Sequence, residues 1–225
     1  MEFIYLAAAG LIGYIMGAIP FGFLFVKMTK GIDLRDVGSG RTGGTNSLRA
    51  AGLGVGFLTF LMDVAKGAAA VWLTTLFVGD LVTADTLPWT KAVAGVMSVV
   101  GHNWSVFLKF GGGAGTGPNI GWSMAIWWPV GIISMIVGGL LLLGVGMASV
   151  ASLAVAAVIP IVFAVRYFNG AGPTVAYMVG GIVTAAIITW ALRPNIKRII
   201  AGEERLVGPR AKRKEREKME RENSL

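Results

Sequence analysis

The first stretch able to do chemistry is a glycine-rich segment, here named loop 1, which reads Gly38-Ser39-Gly40-Arg41-Thr42-Gly43-Gly44-Thr45-Asn46-Ser47-Leu48-Arg49. Its glycines allow a tightly curled backbone that turns N–H groups toward a ligand. Ser39, Thr45 and Asn46 add neutral hydrogen-bonding groups, while Arg41 and Arg49 add fixed positive charge. This composition suits a phosphate or another anion. A flexible connector between helices is the alternative, since the segment lacks the lysine of a P-loop.

A second glycine-rich segment, loop 2, reads Lys109-Phe110-Gly111-Gly112-Gly113-Ala114-Gly115-Thr116-Gly117-Pro118-Asn119. Pro118 suits the first turn of a helix, and Thr116 is placed to cap it. The start of that helix would present free N–H groups, which attract anions. We therefore predict a second anion-binding segment that uses Gly112, Gly113, Gly115 and Thr116.

The composition restricts the class of protein. Of the 225 residues, 55% are hydrophobic and only 14% are charged, which is typical of an integral membrane protein. The absence of cysteine excludes disulfides and thiolate metal sites, and the single histidine, His102, excludes a multi-histidine metal centre. We predict neither a metal nor a cofactor. The net charge of +8 lies mainly in loops and a tail beside apolar spans, where it orients a membrane protein, so we predict no nucleic-acid partner.

The apolar segments predict an all-α, polytopic membrane fold with about seven transmembrane helices. Basic residues around loop 1 place it in the cytoplasm, with the N-terminus outside and the C-terminus inside. We predict a transmembrane domain over residues 1–202 and a charged cytoplasmic tail over 203–225. The start lacks a signal-peptide pattern, so the first span should be retained. The predicted segments are Phe3–Met28, Leu53–Val78, Trp89–Phe107, a short or half-inserted helix Ile120–Trp128, Val130–Gly146, a span ending near Ala164, and Thr174–Leu192.

Two features inside the predicted spans carry structural information. Pro20 should kink the first span. Asp63 and Lys66 stand three residues apart in the second span and thus share one helical face, where an ion pair is favoured. We interpret this pair as a stabilising contact inside the bundle rather than as a catalytic pair.

The predicted topology brings four polar segments to one membrane face. These are loop 1, loop 2, the segment around Ser149 and the segment around Asn195. Polar clusters that converge at one depth indicate a site rather than scattered connectors. The tail from Glu203 is polar, with basic residues followed by alternating acidic and basic ones, which predicts a fraying charged helix or a disordered tail; a solvated tail without a specific role is favoured.

The motifs resemble the bacterial acyl-phosphate:glycerol-3-phosphate acyltransferases of the PlsY type over nearly the whole chain. The residues that carry the resemblance are Gly17-Ala18-Ile19-Pro20-Phe21-Gly22; Gly38, Ser39, Gly40, Gly43, Thr45, Asn46, Leu48 and Arg49; Asp63, Lys66 and Gly67; Gly101-His102; Ser149-Val150-Ala151-Ser152; Asn195-Ile196-Lys197-Arg198; and Gly202-Glu203. The resemblance implies an inner-membrane enzyme that transfers a fatty acyl group from acyl phosphate to the 1-hydroxyl of glycerol 3-phosphate, giving lysophosphatidic acid for phospholipid synthesis. It also implies that six side chains contact the substrates: Ser39, Asn46, Arg49, His102, Ser149 and Asn195.

The chain departs from the family pattern at three places. The family usually has asparagine at the position of Arg41. Its second motif reads Gly-Gly-Lys-Gly-Val-Ala-Thr, so the lysine position is Ala114 here. The family's Arg-His-Arg-Glu-Asn-Ile segment is Ala191-Leu192-Arg193-Pro194-Asn195-Ile196 in this chain. If both loops face one phosphate, Arg41 could supply the lost charge from the opposite wall, with Lys109 as a second candidate.

The chemistry of acyl transfer from acyl phosphate fits these residues. Acyl phosphate is an activated anhydride, so two anions must be held together and one hydroxyl oriented, without a covalent enzyme intermediate. We predict Ser39 and His102 as catalytic residues, His102 in an orienting role. The predicted binding residues are Gly38, Gly40, Arg41, Thr45, Asn46, Arg49, Gly112, Gly113, Gly115, Thr116, Ser149 and Asn195. The predicted assembly is a monomer in contact with membrane lipid; the alternatives are a small-anion transporter and a catalytically altered, lipid-binding paralogue.

Overall fold

The computed structural model describes residues 2–171 and 175–222. Within these ranges the regular secondary structure is helical, and no β-strand is formed. The α-helices are α1 (Glu2–Ala18), α2 (Phe21–Lys30), α3 (Gly44–Ala51), α4 (Leu53–Val78), α5 (Leu87–Asn103), α6 (Thr116–Ile126), α7 (Trp128–Gly144), α8 (Ala148–Phe168), α9 (Val175–Ala191), α10 (Arg193–Ile200) and α11 (Pro209–Glu222). The predicted all-α fold is confirmed.

Three described helical segments are long and apolar enough to cross a membrane: Glu2–Lys30, Leu53–Leu81 and Ala148–Phe168. The pair α9 and α10, bent by 62° at Leu192, would make a fourth span if counted as one. Trp128–Gly144 is apolar but shorter. Seven crossings therefore stay a prediction, and the predicted start of the last span at Thr174 lies outside the described residues.

The first span is broken where Pro20 predicted a kink. Ile19 and Pro20 separate α1 from α2, and the break leaves backbone carbonyls without helical partners. Ser105 Oγ donates to Ala18 O at 2.6 Å, and Lys66 Nζ donates to Ile19 O at 2.8 Å. Because unsatisfied carbonyls are costly away from water, these two bonds from α4 and the α5–α6 connection stabilise the break.

The centre of the bundle is built on close helix contacts through small residues. Gly67 of α4 lies against the backbone of Pro118, and Gly121 of α6 lies against the backbone of Val64, so a side chain at either glycine would clash. Small residues at such crossings are typical of membrane helices. Beside this contact, Trp122, Phe163 and Tyr177 form an aromatic cluster, with ring centroids 5.7 and 5.8 Å apart. This packing fixes α6 between α4 and the α8–α9 pair.

The compact part of the chain extends past the predicted domain boundary at residue 202. Glu204 and Val207 are buried, and Val207 N donates to Gly146 O at 2.8 Å. The charged helix α11 begins only at Pro209. The residues just after 202 thus pack against the α7–α8 junction, while the division into a domain over 1–202 and a tail over 203–225 stays a prediction.

Candidate functional site

Loop 1, loop 2 and the α9–α10 junction meet at one end of the bundle through the side chain of Arg41. Its Nη1 donates to Gly113 O at 2.9 Å in loop 2. Its Nη2 donates to Ala191 O at the end of α9 and approaches Asn195 Oδ1 at 3.4 Å. One guanidinium therefore links three segments that are distant in sequence, and the predicted convergence of these segments is observed.

Arg41 keeps unused capacity for an anion. Burial lowers the pKa of Arg41 from its ordinary value, and the charge of Arg198 lowers it further, while Glu204 opposes this shift. Arginine nevertheless stays protonated in proteins, because its ordinary pKa lies far above neutrality. A guanidinium has five N–H donors, and Nε–H and one Nη1–H of Arg41 have no hydrogen-bond partner among the described residues. A bound anion could accept from these two donors.

The shape of loop 1 is set by Asn46. Its Oδ1 accepts from Ser39 N at 3.1 Å, and its Nδ2 donates to Leu34 O, Val37 O and Arg41 O at 3.2, 2.9 and 2.9 Å. The side chain is 2% exposed. Asn46 is therefore occupied in holding the loop, so its predicted contact with substrate stays a prediction, and the role visible in the structure is positional.

The turn around Ser39 needs its flanking glycines. Gly38 and Gly40 have φ angles of 54° and 71°, in the left-handed region that side chains rarely adopt. The half-buried hydroxyl of Ser39 makes no hydrogen bond to another described residue, and neither does the hydroxyl of Thr45. Both hydroxyls are thus available to a ligand.

Arg49 is an unpaired cation beside this turn. Its Cδ lies close to Gly38, and its guanidinium has no hydrogen bond or ion pair with the described residues. Burial lowers the pKa of Arg49, and the charge of Arg205 lowers it further, against the opposing effect of Glu204. A half-buried guanidinium without a counter-ion is a strong site for an anion.

Loop 2 is held mainly by backbone contacts. Ser105 and Gly111 form an isolated antiparallel bridge, and Gly113 N donates to His102 O at 2.9 Å. Gly112 lies directly on the carbonyls of His102 and Asn103, where a Cβ would clash. The predicted glycines thus allow the loop to lie flat on the end of α5.

The start of α6 differs from the prediction. Gly115, with a φ angle of 89°, is the residue before the helix, and Thr116 is its first helical residue. The Oγ1 atom of Thr116 is buried and has no hydrogen-bond partner among the described residues. The prediction that Thr116 caps the helix is wrong, because the left-handed turn is possible for glycine and places Gly115 at that position.

His102 lies beneath loop 2 in contact with the ion pair of α4. Lys66 Nζ is 2.7 Å from Asp63 Oδ1 and 2.9 Å from His102 Nδ1. The predicted ion pair is confirmed, while its contact with His102 was not predicted. A Cβ at Gly113 would collide with His102 Nε2, so this ring nitrogen faces loop 2.

The carboxylate of Glu204, which the sequence pattern did not identify, connects the segments around Ser149 and Asn195. Glu204 Oε1 accepts from Ser149 Oγ at 3.0 Å and from Asn195 Nδ2 at 2.8 Å, and its Oε2 accepts from Arg198 Nε at 2.9 Å. Glu204 was missed because it stands within the charged tail pattern. The sequence signal for Glu204 was its position shortly after Gly202. This glycine has a φ angle of 72° and turns the chain back after α10.

The chemistry available here is that of anion binding and hydroxyl orientation. Arg41 and Arg49 supply positive charge, and the hydroxyls of Ser39 and Thr45 supply neutral hydrogen-bonding groups. Among the described residues, no serine hydroxyl hydrogen-bonds to His102, and no group of His, Asp and Glu could hold a metal ion. The absence of a metal cofactor stays a prediction.

Comparisons with known proteins agree on one family. A family model described as glycerol-3-phosphate acyltransferase matches residues 7–202. The glycerol-3-phosphate acyltransferase of Parasynechococcus marenigrum (strain WH8102) is 37% identical over 203 residues, 89% of each chain. Glycerol-3-phosphate acyltransferase 3 of Dehalococcoides mccartyi (strain CBDB1) is 36% identical over 215 residues, 90% of this chain and 95% of the relative.

Solved structures give the same result. The crystal structure of PlsY, an integral membrane glycerol 3-phosphate acyltransferase, in its glycerol 3-phosphate form superposes with a TM-score of 0.77 at 31% sequence identity. It covers 90% of this chain and 96% of that chain. Its lysophosphatidic acid form gives a TM-score of 0.73 at 30% identity, covering 90% and 95%.

Proposed function

Because the chain belongs to the glycerol-3-phosphate acyltransferase family, we propose that it is a membrane enzyme that acylates the 1-hydroxyl of glycerol 3-phosphate to give lysophosphatidic acid. The observation that carries this function is the Arg41 contact, which holds two glycine loops and the α9–α10 junction together around unpaired hydrogen-bonding groups. A phosphate needs this combination of cation, backbone N–H and hydroxyl.

The roles of the side chains follow from their free atoms. Arg49 and the two free donors of Arg41 bind phosphate oxygens. The hydroxyls of Ser39 and Thr45 donate to the same anion or to the acyl carbonyl oxygen. Ser149 and Asn195 both donate a hydrogen bond to Glu204, which therefore sets their orientation. The remaining polar atoms of these two side chains contact the glycerol hydroxyls.

Acyl phosphate is the proposed donor. The hydroxyl oxygen of glycerol 3-phosphate attacks the acyl carbon, the bond from that carbon to the phosphate oxygen breaks, and inorganic phosphate leaves with the hydroxyl proton. An anhydride is reactive enough for direct attack when the two substrates are oriented. The absence of a hydrogen-bonded serine–histidine pair among the described residues supports a route without an acyl-enzyme.

Two rival functions are weaker. A small-anion transporter needs a route to both faces, whereas the unpaired polar groups named above cluster at one end. A lipid-binding paralogue without activity is the other alternative, because the resemblance places a lysine at the position of Ala114. Arg41, whose Nη1 contacts the neighbouring Gly113, offers a cation at that place, which favours the enzyme.

The proposed topology has seven crossings, with the N-terminus outside and the site on the cytoplasmic face of the inner membrane. The protein acts as a monomer in contact with lipid, without cofactor or nucleic acid. Single cysteines at Asn169 and at Ser224, the latter outside the described residues, should react with an impermeant thiol reagent from opposite sides of intact cells. Reaction from the same side would contradict seven crossings.

The direct experiment uses the purified protein in a lipid mesophase. Acyl phosphate and labelled glycerol 3-phosphate should give labelled lysophosphatidic acid and an equal amount of phosphate. Acyl-coenzyme A and acyl carrier protein serve as alternative donors, and activity with these alone would exclude the proposed donor. Uptake of glycerol 3-phosphate into sealed vesicles without product would instead support the transporter.

A further inference from the structure

Three ionisable side chains meet in the interior of the bundle beneath loop 2. Asp63, Lys66 and His102 are 3%, 2% and 5% exposed. Three acceptors surround the ammonium of Lys66: Asp63 Oδ1 at 2.7 Å, His102 Nδ1 at 2.9 Å and Ile19 O at 2.8 Å. The ammonium carries three protons: it donates to Ile19 O and contacts His102 Nδ1 at hydrogen-bond distance. Asp63 Oδ1 makes no hydrogen bond to a described residue, but its negative charge balances the buried cation as an ion pair.

This arrangement determines which nitrogen of His102 carries the proton. A charged lysine donates hydrogen bonds and accepts none, so the Nδ1 atom beside it must present its lone pair. Asp63 Oδ1 is 3.5 Å from the same Nδ1, beyond the usual hydrogen-bond range. The neutral imidazole therefore has its proton on Nε2.

The Nε2 atom of His102 lies against Gly113 of loop 2, since a Cβ added at that position would collide with it. Nε2 makes no hydrogen bond to another described residue. The carbonyl oxygen of Gly113 already accepts a hydrogen bond from Arg41 Nη1, and it is not the partner of Nε2. The imidazole thus directs an unused donor at the glycine loop where the phosphate-binding groups converge.

We infer that Lys66 is a positioning residue that fixes His102 as an Nε2–H donor to a substrate oxygen, and that His102 does not remove the proton of the attacking hydroxyl. The substrate part of this inference rests on the proposed function. The position of the proton does not, because it follows from contacts within the protein.

A single measurement tests the proton position. The chain has one histidine, so labelling histidine side chains with ¹⁵N gives one imidazole spectrum from the intact protein in detergent. The spectrum should show a protonated Nε2 and an unprotonated Nδ1. A proton on Nδ1, or on both nitrogens, at neutral pH would overturn the inference.

Variants of Lys66 test its positioning role. In Lys66→Met, His102 Nδ1 loses its hydrogen-bond donor. The population of the Nδ1–H tautomer should then increase, because Nδ1–H can donate to Asp63, and acyl transfer should fall at least about tenfold. Lys66→Arg retains donors and should keep more of the Nε2–H form and of the activity. Lys30→Met, at the exposed end of α2, is the control for loss of a lysine charge and should match wild type. A folded Lys66→Met protein with an unchanged spectrum and full activity would contradict the inference.

Variants of His102 distinguish a hydrogen-bond donor from a general base. Glutamine places an amide near the Nε2 position, so His102→Gln should retain activity within about tenfold of wild type, whereas His102→Phe should lose about a hundredfold. Equal loss in two folded variants would mean that a donor at the Nε2 position does not support transfer, which would overturn the inference. If the wild-type protein shows no transfer, the proposed function fails, but the ¹⁵N spectrum still decides the position of the proton.

Discussion

The two glycine loops are built in opposite ways. Loop 1 is held by one of its own side chains, Asn46, which bonds to four backbone groups in or next to the loop. Loop 2 has no such side chain and rests on its surroundings: the end of α5 below it and Arg41 beside it. Loop 1 is therefore supported largely from within, whereas the shape of loop 2 depends on neighbours from elsewhere in the chain.

If the proposed function holds, the two loops contribute differently to anion binding. Loop 1 carries Arg41, Arg49 and the hydroxyls of Ser39 and Thr45, and the turn held by Asn46 places them. Loop 2 carries mainly backbone groups, which bind an anion only when the loop lies flat. Arg41 connects the two loops, so a change in either loop reaches the other through this side chain.

The largest effect is expected from Asn46→Ala, which removes the internal support of loop 1. Four buried or part-buried backbone groups lose their partner, each worth about 1–3 kcal/mol, so transfer should fall by about a thousandfold or more. Protease sensitivity at loop 1 should rise in parallel. Asn169→Ala, at an exposed asparagine, is the matched control and should resemble wild type. Full activity in Asn46→Ala would show that loop 1 has other support.

Ser39→Ala should follow, with a severe loss of transfer in a protein that stays folded. The hydroxyl makes no bond to the described residues, whereas the Ser39 N–H that supports the turn is kept in alanine. Loss of one donor to a developing charge costs about a hundredfold in rate. Steady-state kinetics and thermal unfolding check this prediction, and activity near wild type would mean that loop 1 is only a connector.

Gly113→Ala should disturb loop 2 without touching a charge. A Cβ at this position meets the imidazole of His102, so the loop must lift, and transfer should fall by roughly tens-fold, comparable to one or two lost hydrogen bonds. Gly43→Ala is the control in loop 1, because no atom lies within 4 Å of the added Cβ and its φ angle of −85° suits alanine. Equal losses in both variants would contradict the difference between the loops.

The smallest expected effect, about tenfold or more, belongs to Arg41→Asn. It removes the bridge between the loops and one cation. Ala114→Lys in the same protein should restore part of the activity, since Ala114 adjoins the Gly113 carbonyl that Arg41 contacts. Activity of each variant at increasing glycerol 3-phosphate concentration measures the effect. Full activity of Arg41→Asn alone would exclude compensation.

Much of the fold follows from local sequence. The second span was predicted as Leu53–Val78 and is observed with these bounds, because its apolar run ends sharply at Gly52 and Gly79. The break at Pro20 followed from proline chemistry. The short helix was predicted as Ile120–Trp128 and is observed as Thr116–Ile126, since the glycines before it do not prevent a helical start.

The contacts between distant segments could not be predicted in the same way. Glu204 joins Ser149 and Asn195 across 55 and 9 residues, and its charged neighbours made it indistinguishable from a solvated tail. The contact of Lys66 with His102 depends on how α4 and α5 are rotated about their axes. Loop 1, in contrast, was identified from its composition alone, although the structural role of Asn46 was not.

The shortness of α6 bears on the depth of loop 2 in the membrane. Its 11 residues extend about 16 Å, roughly half of the hydrocarbon thickness of about 30 Å. Its far end, at Trp127, lies under Arg166 near the end of α8, with the guanidinium 3.8 Å from the ring centroid. In the proposed topology, loop 2 would therefore lie below the level of the headgroups. On the proposed function, a water-soluble substrate would then enter to that depth, and the fatty chain of the donor would stay in the bilayer.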